Sequence, residues 1–181
     1  MNWLDQLGGV LQQYTGNAPQ KSQESAEQDF DQVSTVAPRE AVAGGLADAF
    51  RSKDTPPFPN MVGDLFGRSD GTQRASILNS LLASAGPALL SGILSRQGGG
   101  GLGSLAGMLG GGATHVTPEQ AQQIPPQAVE EIAKEAEQRD PNVIDRVSDF
   151  YAEHPTLVKG LGAAALAIAM RGMANQKRGL F

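Results

Sequence analysis

Apolar residues recur along this chain at three- and four-residue spacing, the period of a helix buried on one side. Nowhere do they alternate with polar residues as a half-buried strand requires. The first stripe is Trp3, Leu4, Leu7, Val10, Leu11 and Tyr14, with Asn2 as N-cap, Asp5 three residues on and Gly16 as the C-terminal stop. Gly8 and Gly9 interrupt it. Each glycine lowers helix stability by about 1 kcal/mol relative to alanine, so this helix is either marginal alone or closely approached by a partner. Residues 17–29 (NAPQKSQESAEQD) carry no large apolar side chain. They bury too little surface to offset their ordering entropy, which predicts a flexible linker and a first helix that is tethered rather than integral.

From residue 30 the pattern tightens. Phe30, Val33 and Val36 form a short apolar ridge, and Pro38 suits the first turn of a helix in which Val42, Leu46, Ala49 and Phe50 share a face. Thr55-Pro56-Pro57-Phe58-Pro59 reads as a rigid turn, after which Asn60 caps a helix with Met61, Val62, Leu65 and Phe66 that Gly67 stops. Ser69-Asp70-Gly71-Thr72 turns the chain into a helix carrying Ile77, Leu78, Leu81, Leu82 and Ala85. Gly86-Pro87 breaks that helix before Leu89, Leu90, Ile93 and Leu94. Glycine tracts at 98–101 and 110–112 bracket Leu102, Leu105, Met108 and Leu109, an apolar island that must dock on its own domain or on another copy.

Thr117-Pro118-Glu119-Gln120 then predicts a capping box opening a short helix, ended by Ile124-Pro125-Pro126. Val129, Ile132, Ala133 and Ala136 mark the next helix, with Glu130–Lys134 and Glu135–Arg139 four apart on its outer face. Asp140-Pro141 starts another, with Val143, Ile144, Val147, Phe150 and Tyr151. His154-Pro155 separates it from a last, alanine-rich helix running from Leu157 and Val158 through Leu161, Leu166, Ala169 and Met170 to Met173. That helix is apolar nearly all round and is expected at the centre of its domain.

The expected fold is therefore all-α, a multi-helix bundle of short amphipathic helices with proline-marked corners. Its expected divisions are an N-terminal amphipathic helix (1–16), a linker (17–29), a helical subdomain (30–97), a glycine-rich connector with a short apolar helix (98–116) and a C-terminal helical subdomain (117–181).

Composition narrows the chemistry. Net charge is −5, without the basic footprint that a nucleic-acid binder needs. No cysteine is present, which excludes disulfides, thiolate nucleophiles and cysteine metal sites. Asp5 stands where a secretory signal requires basic residues, so the chain is expected to be cytoplasmic. Residues 75–95 are uncharged and as long as a membrane span, which takes about 20 apolar residues. Five serines, Asn79 and the Gly86-Pro87 break make two short amphipathic helices the better reading. Residues 155–181 hold Lys159, Arg171, Lys177 and Arg178 and no acid, a cationic stretch suited to a helix C-terminus or to an anionic lipid surface.

Candidate catalytic groups reduce to ordinary surface features. The tract at 98–101 lacks the Gly-Lys-Ser or Gly-Lys-Thr and the preceding strand of a phosphate loop. Glu130, Glu131, Glu135 and Glu137 interleave with Lys134 and Arg139 as a solvated face, and no His-x-x-Glu or Glu-x-x-His pair makes them ligands. His115 and His154 have no nucleophile near in sequence and read as surface or capping residues. No catalytic, cofactor-binding or metal residue is assigned, and no small-molecule ligand is inferred.

The run Val116-Thr117-Pro118-Glu119-Gln120-Ala121, then Ile132-Ala133, then His154-Pro155-Thr156-Leu157-Val158-Lys159-Gly160-Leu161 resembles the C-terminal half of YidB-like bacterial proteins. Those proteins share a rhythm of TPEQ, a short helix, IA and a terminal P-x-L-V-x-x-L. They also carry a glycine-rich apolar segment upstream, as residues 98–112 do here, and an amphipathic start similar to NWLDQLGGVLQQ. The likeness covers about half the chain, and Pro125-Pro126 departs from it. It implies a small soluble helical fold and transfers no catalytic residue.

More apolar helical face is on offer than one small core needs, and large apolar patches mark interaction sites. The expected function is non-enzymatic: self-association into a homo-oligomer or larger assembly. Its expected contacts are Trp3, Leu4, Leu7, Val10, Leu11 and Tyr14 on the first helix and Leu102, Leu105, Met108 and Leu109 on the island. Two readings stay open beside it. One is a membrane-surface or secreted protein, since the acidic, glycine-rich, cysteine-free composition also resembles harpin-like proteins. The other is an enzyme whose acid–base residues the fold brings together.

Overall fold

Each apolar stripe folds as helix. The computed structural model describes residues 2–15, 22–95, 101–110 and 115–175, without the side chains of residues 87–90, 93, 94, 101 and 102. Among these residues the fold is all-α, with eleven helices and no strand. They are α1 (Trp3–Gln12), α2 (Gln23–Val36), α3 (Arg39–Arg51), α4 (Phe58–Arg68), α5 (Gly71–Ser95), α6 (Gly101–Leu109), α7 (Pro118–Gln122), α8 (Pro126–Arg139), α9 (Val143–Ala152), α10 (Pro155–Val158) and α11 (Ala163–Asn175). No helix of the described residues is long and apolar enough to cross a membrane. The expected stop at Gly16, linker residues 17–21, most of both glycine tracts, and Lys177 and Arg178 lie outside the described residues.

Three local expectations change. Residues 23–29, read as linker, form the start of α2, where the Ser22 side chain caps the helix by accepting from the Ser25 amide. Polar side chains hid a real stripe: Ala26, Phe30 and Val33 are buried one turn apart, and Ala26 is small enough to look neutral in a pattern of large apolar residues. The alanine-rich helix begins at Ala163 rather than Leu157, because Gly162 has φ 38°, a backbone that favours glycine. Leu157 and Val158 instead belong to the short α10. Finally, α4 starts at Phe58, two residues before the expected Asn60 cap, and continues through Gly67 to Arg68.

Gly86-Pro87 behaves as its sequence predicts. Gly86 adopts φ 74° and ψ 177°, splitting α5 into two helical stretches. The capping box of α7 also forms, with the Thr117 hydroxyl accepting from the Gln120 amide and the Gln120 side chain accepting from the Thr117 amide.

The chain divides into two units whose boundary falls inside α9. Unit 1 is Met1–Pro57 with Ser148–Phe181, and unit 2 is Phe58–Val147. The units meet at 57/58 and 147/148, whereas the expected divisions of the same stretch fall at 97/98 and 116/117. Glycine and proline mark local breaks in the chain, whereas units are set by which distant helices pair.

In unit 1, α11 packs against α3, α2 and α1, so the small-residue helix is central, as expected. Leu46, Ala49, Leu166, Ala169, Met170 and Met173 are buried there, and the Tyr151 ring lies tilted against Phe50 with centroids 6.4 Å apart. An ion pair joins Lys159 to Asp31 at 2.8 Å, and the Gln23 amide donates to the Lys159 carbonyl. Unit 2 is built on α4 against α8 and on α5 against α6, α7 and α8. Phe58, Phe66, Leu78, Leu81, Leu105, Val129 and Ile132 fill its core. Arg74 donates to the carbonyls of Phe66, Gly67 and Ser69, satisfying backbone acceptors at the end of α4. Asn79 holds the chain before α7, accepting from the Val116 amide and donating to the Val116 carbonyl.

Candidate functional site

The two stripes expected to make contacts lie in different units, α1 in unit 1 and α6 in unit 2. The sequence pattern of α1 puts Leu7, Leu11 and Tyr14 on its inner line, and unit 1 buries them to 2%, 3% and 7% exposure against α2 and α11. Trp3, Leu4 and Val10 flank that line and are half-buried. The expected ten contact residues thus separate into two sets. Leu7, Leu11, Tyr14, Leu105 and Leu109 are core within their own units, while Trp3, Leu4, Val10 and Met108 stay partly accessible. Leu102's side chain lies outside the described residues.

Tyr14 is tied to the segment that had been read as linker. Its hydroxyl donates to Asp29 Oδ2 at 2.6 Å. Burial, then the hydrogen bond to the Asp29 carboxylate and its charge, push the phenol well above its ordinary pKa. Asp29 was invisible as a functional residue because nothing in a polar run marks one aspartate as a phenol's partner. At the other end of α1, Asn2 occupies the N-cap position but its side chain makes no capping bond.

The glycines of α1 and α6 stand apart from those in the helix seams. A Cβ built on Gly8, Gly9, Gly103 or Gly107 meets nothing described within 4 Å. One built on Gly45 would overlap the Ala169 carbonyl oxygen, and one on Gly172 would lie 3.0 Å from the Gly45 Cα. Close approach explains the second pair and leaves the first unexplained.

Other candidate chemistry is placed as follows. His115 is exposed, and His154 stands at the N-cap position of α10 with its ring 4.7 Å, centroid to centroid, from Phe150. Glu130 lies against Gly63, and Glu135 reaches Arg139 at 4.0 Å. The Glu119 carboxyl is held below its ordinary pKa by its own backbone amide and by the Thr117 hydroxyl, as suits the first turn of a helix. Among the described residues no group of three or more His, Asp or Glu side chains is arranged to hold a metal ion. Unit 1 also has an open cleft of about 290 Å³ lined by Asp48, Arg51, Ser52, Ile168, Arg171, Gly172 and Asn175. Asp48, Arg51, Arg171 and Asn175 are exposed, so water screens them, and Arg51 lies in the last turn of α3, where helix carbonyls attract cations.

No family model matches the chain, and no curated protein or solved structure matches it either. The residues behind the YidB-like likeness have local structural roles here. Thr117 and Gln120 close a capping box, and Pro155 opens α10.

Proposed function

We propose that the protein is a non-enzymatic interaction protein that self-associates through apolar helix faces, with α1 as the principal contact. One observation carries the reading. On α1, an aromatic and two aliphatic side chains, Trp3, Leu4 and Val10, remain half-exposed, and a Cβ added at Gly8 or Gly9 of the same helix would meet no other described atom within 4 Å. Aromatic residues anchor interfaces, and glycine lets a second helix backbone come close. Elsewhere on the described surface Met108, Phe150 and Leu157 are half-buried as well and Val36 is 40% exposed, but none of them stands in a group of three on one helix. Kinship with YidB-like bacterial proteins belongs to the same proposal and rests on the Thr117–Gln120 and Pro155–Leu161 runs.

Deleting residues 1–16 is a poor test, because it strips Leu7, Leu11 and Tyr14 from the core of unit 1. Substituting the half-exposed residues is cleaner. Light scattering across a concentration series is expected to show a multiple of the 18.9 kDa chain mass, and the W3A/L4A/V10A variant is expected to fall towards the monomer with its helical signal intact. A wild-type chain that stays monomeric at every concentration rejects the reading. The cationic residues Lys159, Arg171, Lys177 and Arg178 favour a second reading, an anionic lipid surface, and flotation with anionic vesicles separates the two, since self-association predicts a protein that stays at the bottom of the gradient.

A further inference from the structure

We infer that α1 is a releasable clasp, held on unit 1 by a few contacts and coming off as a piece while α2, α3 and α11 stay folded. The argument begins with the helix itself. It spans ten residues, below the length of about 12–15 at which isolated helices hold together in water. Its N-cap side chain makes no capping bond. Gly8 and Gly9 each lower the weight of the helical state about fivefold relative to alanine. Nothing among the described residues asks for them, because a Cβ at either position meets no described atom within 4 Å. Gly45 and Gly172, by contrast, sit where a Cβ would strike neighbouring backbone. The two glycines of α1 therefore weaken it without making any contact possible among the described residues.

Docking supplies little to offset this. Within α1, Leu7 and Leu11 are buried, and Tyr14 follows just beyond its end. In the same unit, α3 buries eight residues along its length. One polar tie is the bond from the Tyr14 hydroxyl to Asp29 Oδ2. Local openings of this kind occur at the low-stability end of a fold, where buried contacts are few. Release uncovers Leu7, Leu11 and Tyr14 beside Trp3, Leu4 and Val10, so the whole stripe becomes available at once. That consequence for assembly rests on the self-association proposed above; the release itself does not.

Hydrogen exchange on the full chain, read by mass spectrometry on peptides from α1, α3 and α11, tests the clasp. The amides of residues 6–14 are expected to exchange at least tenfold faster, after correction for intrinsic rates, than those of α3 and α11. In the G8A/G9A variant the α1 amides are expected to slow about twenty-five-fold, the product of the two propensity gains, with α3 and α11 unchanged. Y14F is expected to speed α1 alone. Wild-type α1 exchanging in step with α3 and α11 overturns the clasp, as does a G8A/G9A variant whose α1 is no slower. Solution mass keeps the two proposals apart. Rapid α1 exchange in a chain that stays monomeric supports the clasp and overturns self-association, whereas an assembled particle with α1 as protected as α3 does the reverse.

Discussion

Both units use glycine to bring helices together, and Gly45 in unit 1 and Gly63 in unit 2 face different kinds of neighbour. In unit 1, Gly45 on α3 faces the Ala169 carbonyl of α11, and Gly172 on α11 faces the Gly45 Cα at 3.0 Å from an added Cβ. At Gly45 the nearest atom is backbone and cannot swing aside, whereas at Gly172 the Asp48 carboxylate is nearer still, with Oδ2 2.5 Å from an added Cβ. In unit 2, Gly63 on α4 faces the Glu130 side chain, with Cγ 2.5 Å and Oε1 2.8 Å from an added Cβ. A glutamate has several torsions through which to retreat. The lesson is that the same residue marks an obligatory contact in one seam and a negotiable one in the other, and only what lies opposite tells them apart.

Alanine at position 45 is the hardest blow to that comparison. G45A is expected to destabilise unit 1 by about 3 kcal/mol, at the upper end of overpacking costs, seen as a lower urea midpoint. A loss under about 1 kcal/mol would mean that α3 and α11 slide apart freely and that the two seams are alike.

Alkali probes a smaller element of unit 1. Because the Tyr14 phenol is raised in the folded state, its contribution is complete below the unfolded phenol pKa of about 10 and fades as pH rises beyond it. Trp3, the single tryptophan, sits on α1 and reports its environment directly. Its emission is expected to shift to the red above that pH before the bulk of the helical signal is lost, and Y14F is expected to remove the pH dependence. A tryptophan that responds only together with global unfolding would contradict this.

G63A should be the mildest change. The Glu130 side chain moves out of the way, and alanine's better helix propensity returns up to about 1 kcal/mol, so the denaturation midpoint is expected to move little in either direction. A destabilisation as large as that of G45A would show that Glu130 is pinned.

Legibility in the sequence followed the same line between local and distant causes. Features decided by neighbours in the chain were readable: the Gly86-Pro87 break, the Thr117–Gln120 box and the apolar lines of α1, α3 and α8. Features decided by partners far away were not. Residues 23–29 looked like linker because Ala26 counts as apolar only once Phe30 and Val33 have a wall to lean on. Asp29, in the expected linker, and Asp31, just after it, are ordinary acids until Tyr14 and Lys159 arrive beside them. The partition into units was likewise hidden, since it depends on α3 finding a helix more than a hundred residues later. Of the expected contact residues, the heptad-like spacing was right for a helix but could not say which of its apolar side chains the chain itself would cover.

That distant pairing of α3 with α11 also sets an order of events during synthesis. When residue 147 leaves the ribosome, every residue of unit 2 has been made, whereas unit 1 still lacks the helix at its centre. Closing a loop of this size before any contact rewards it is slow. The nascent chain therefore carries α2 and α3 with their apolar sides bare for as long as it takes to translate the inserted unit, the interval in which a growing polypeptide most needs a chaperone's cover.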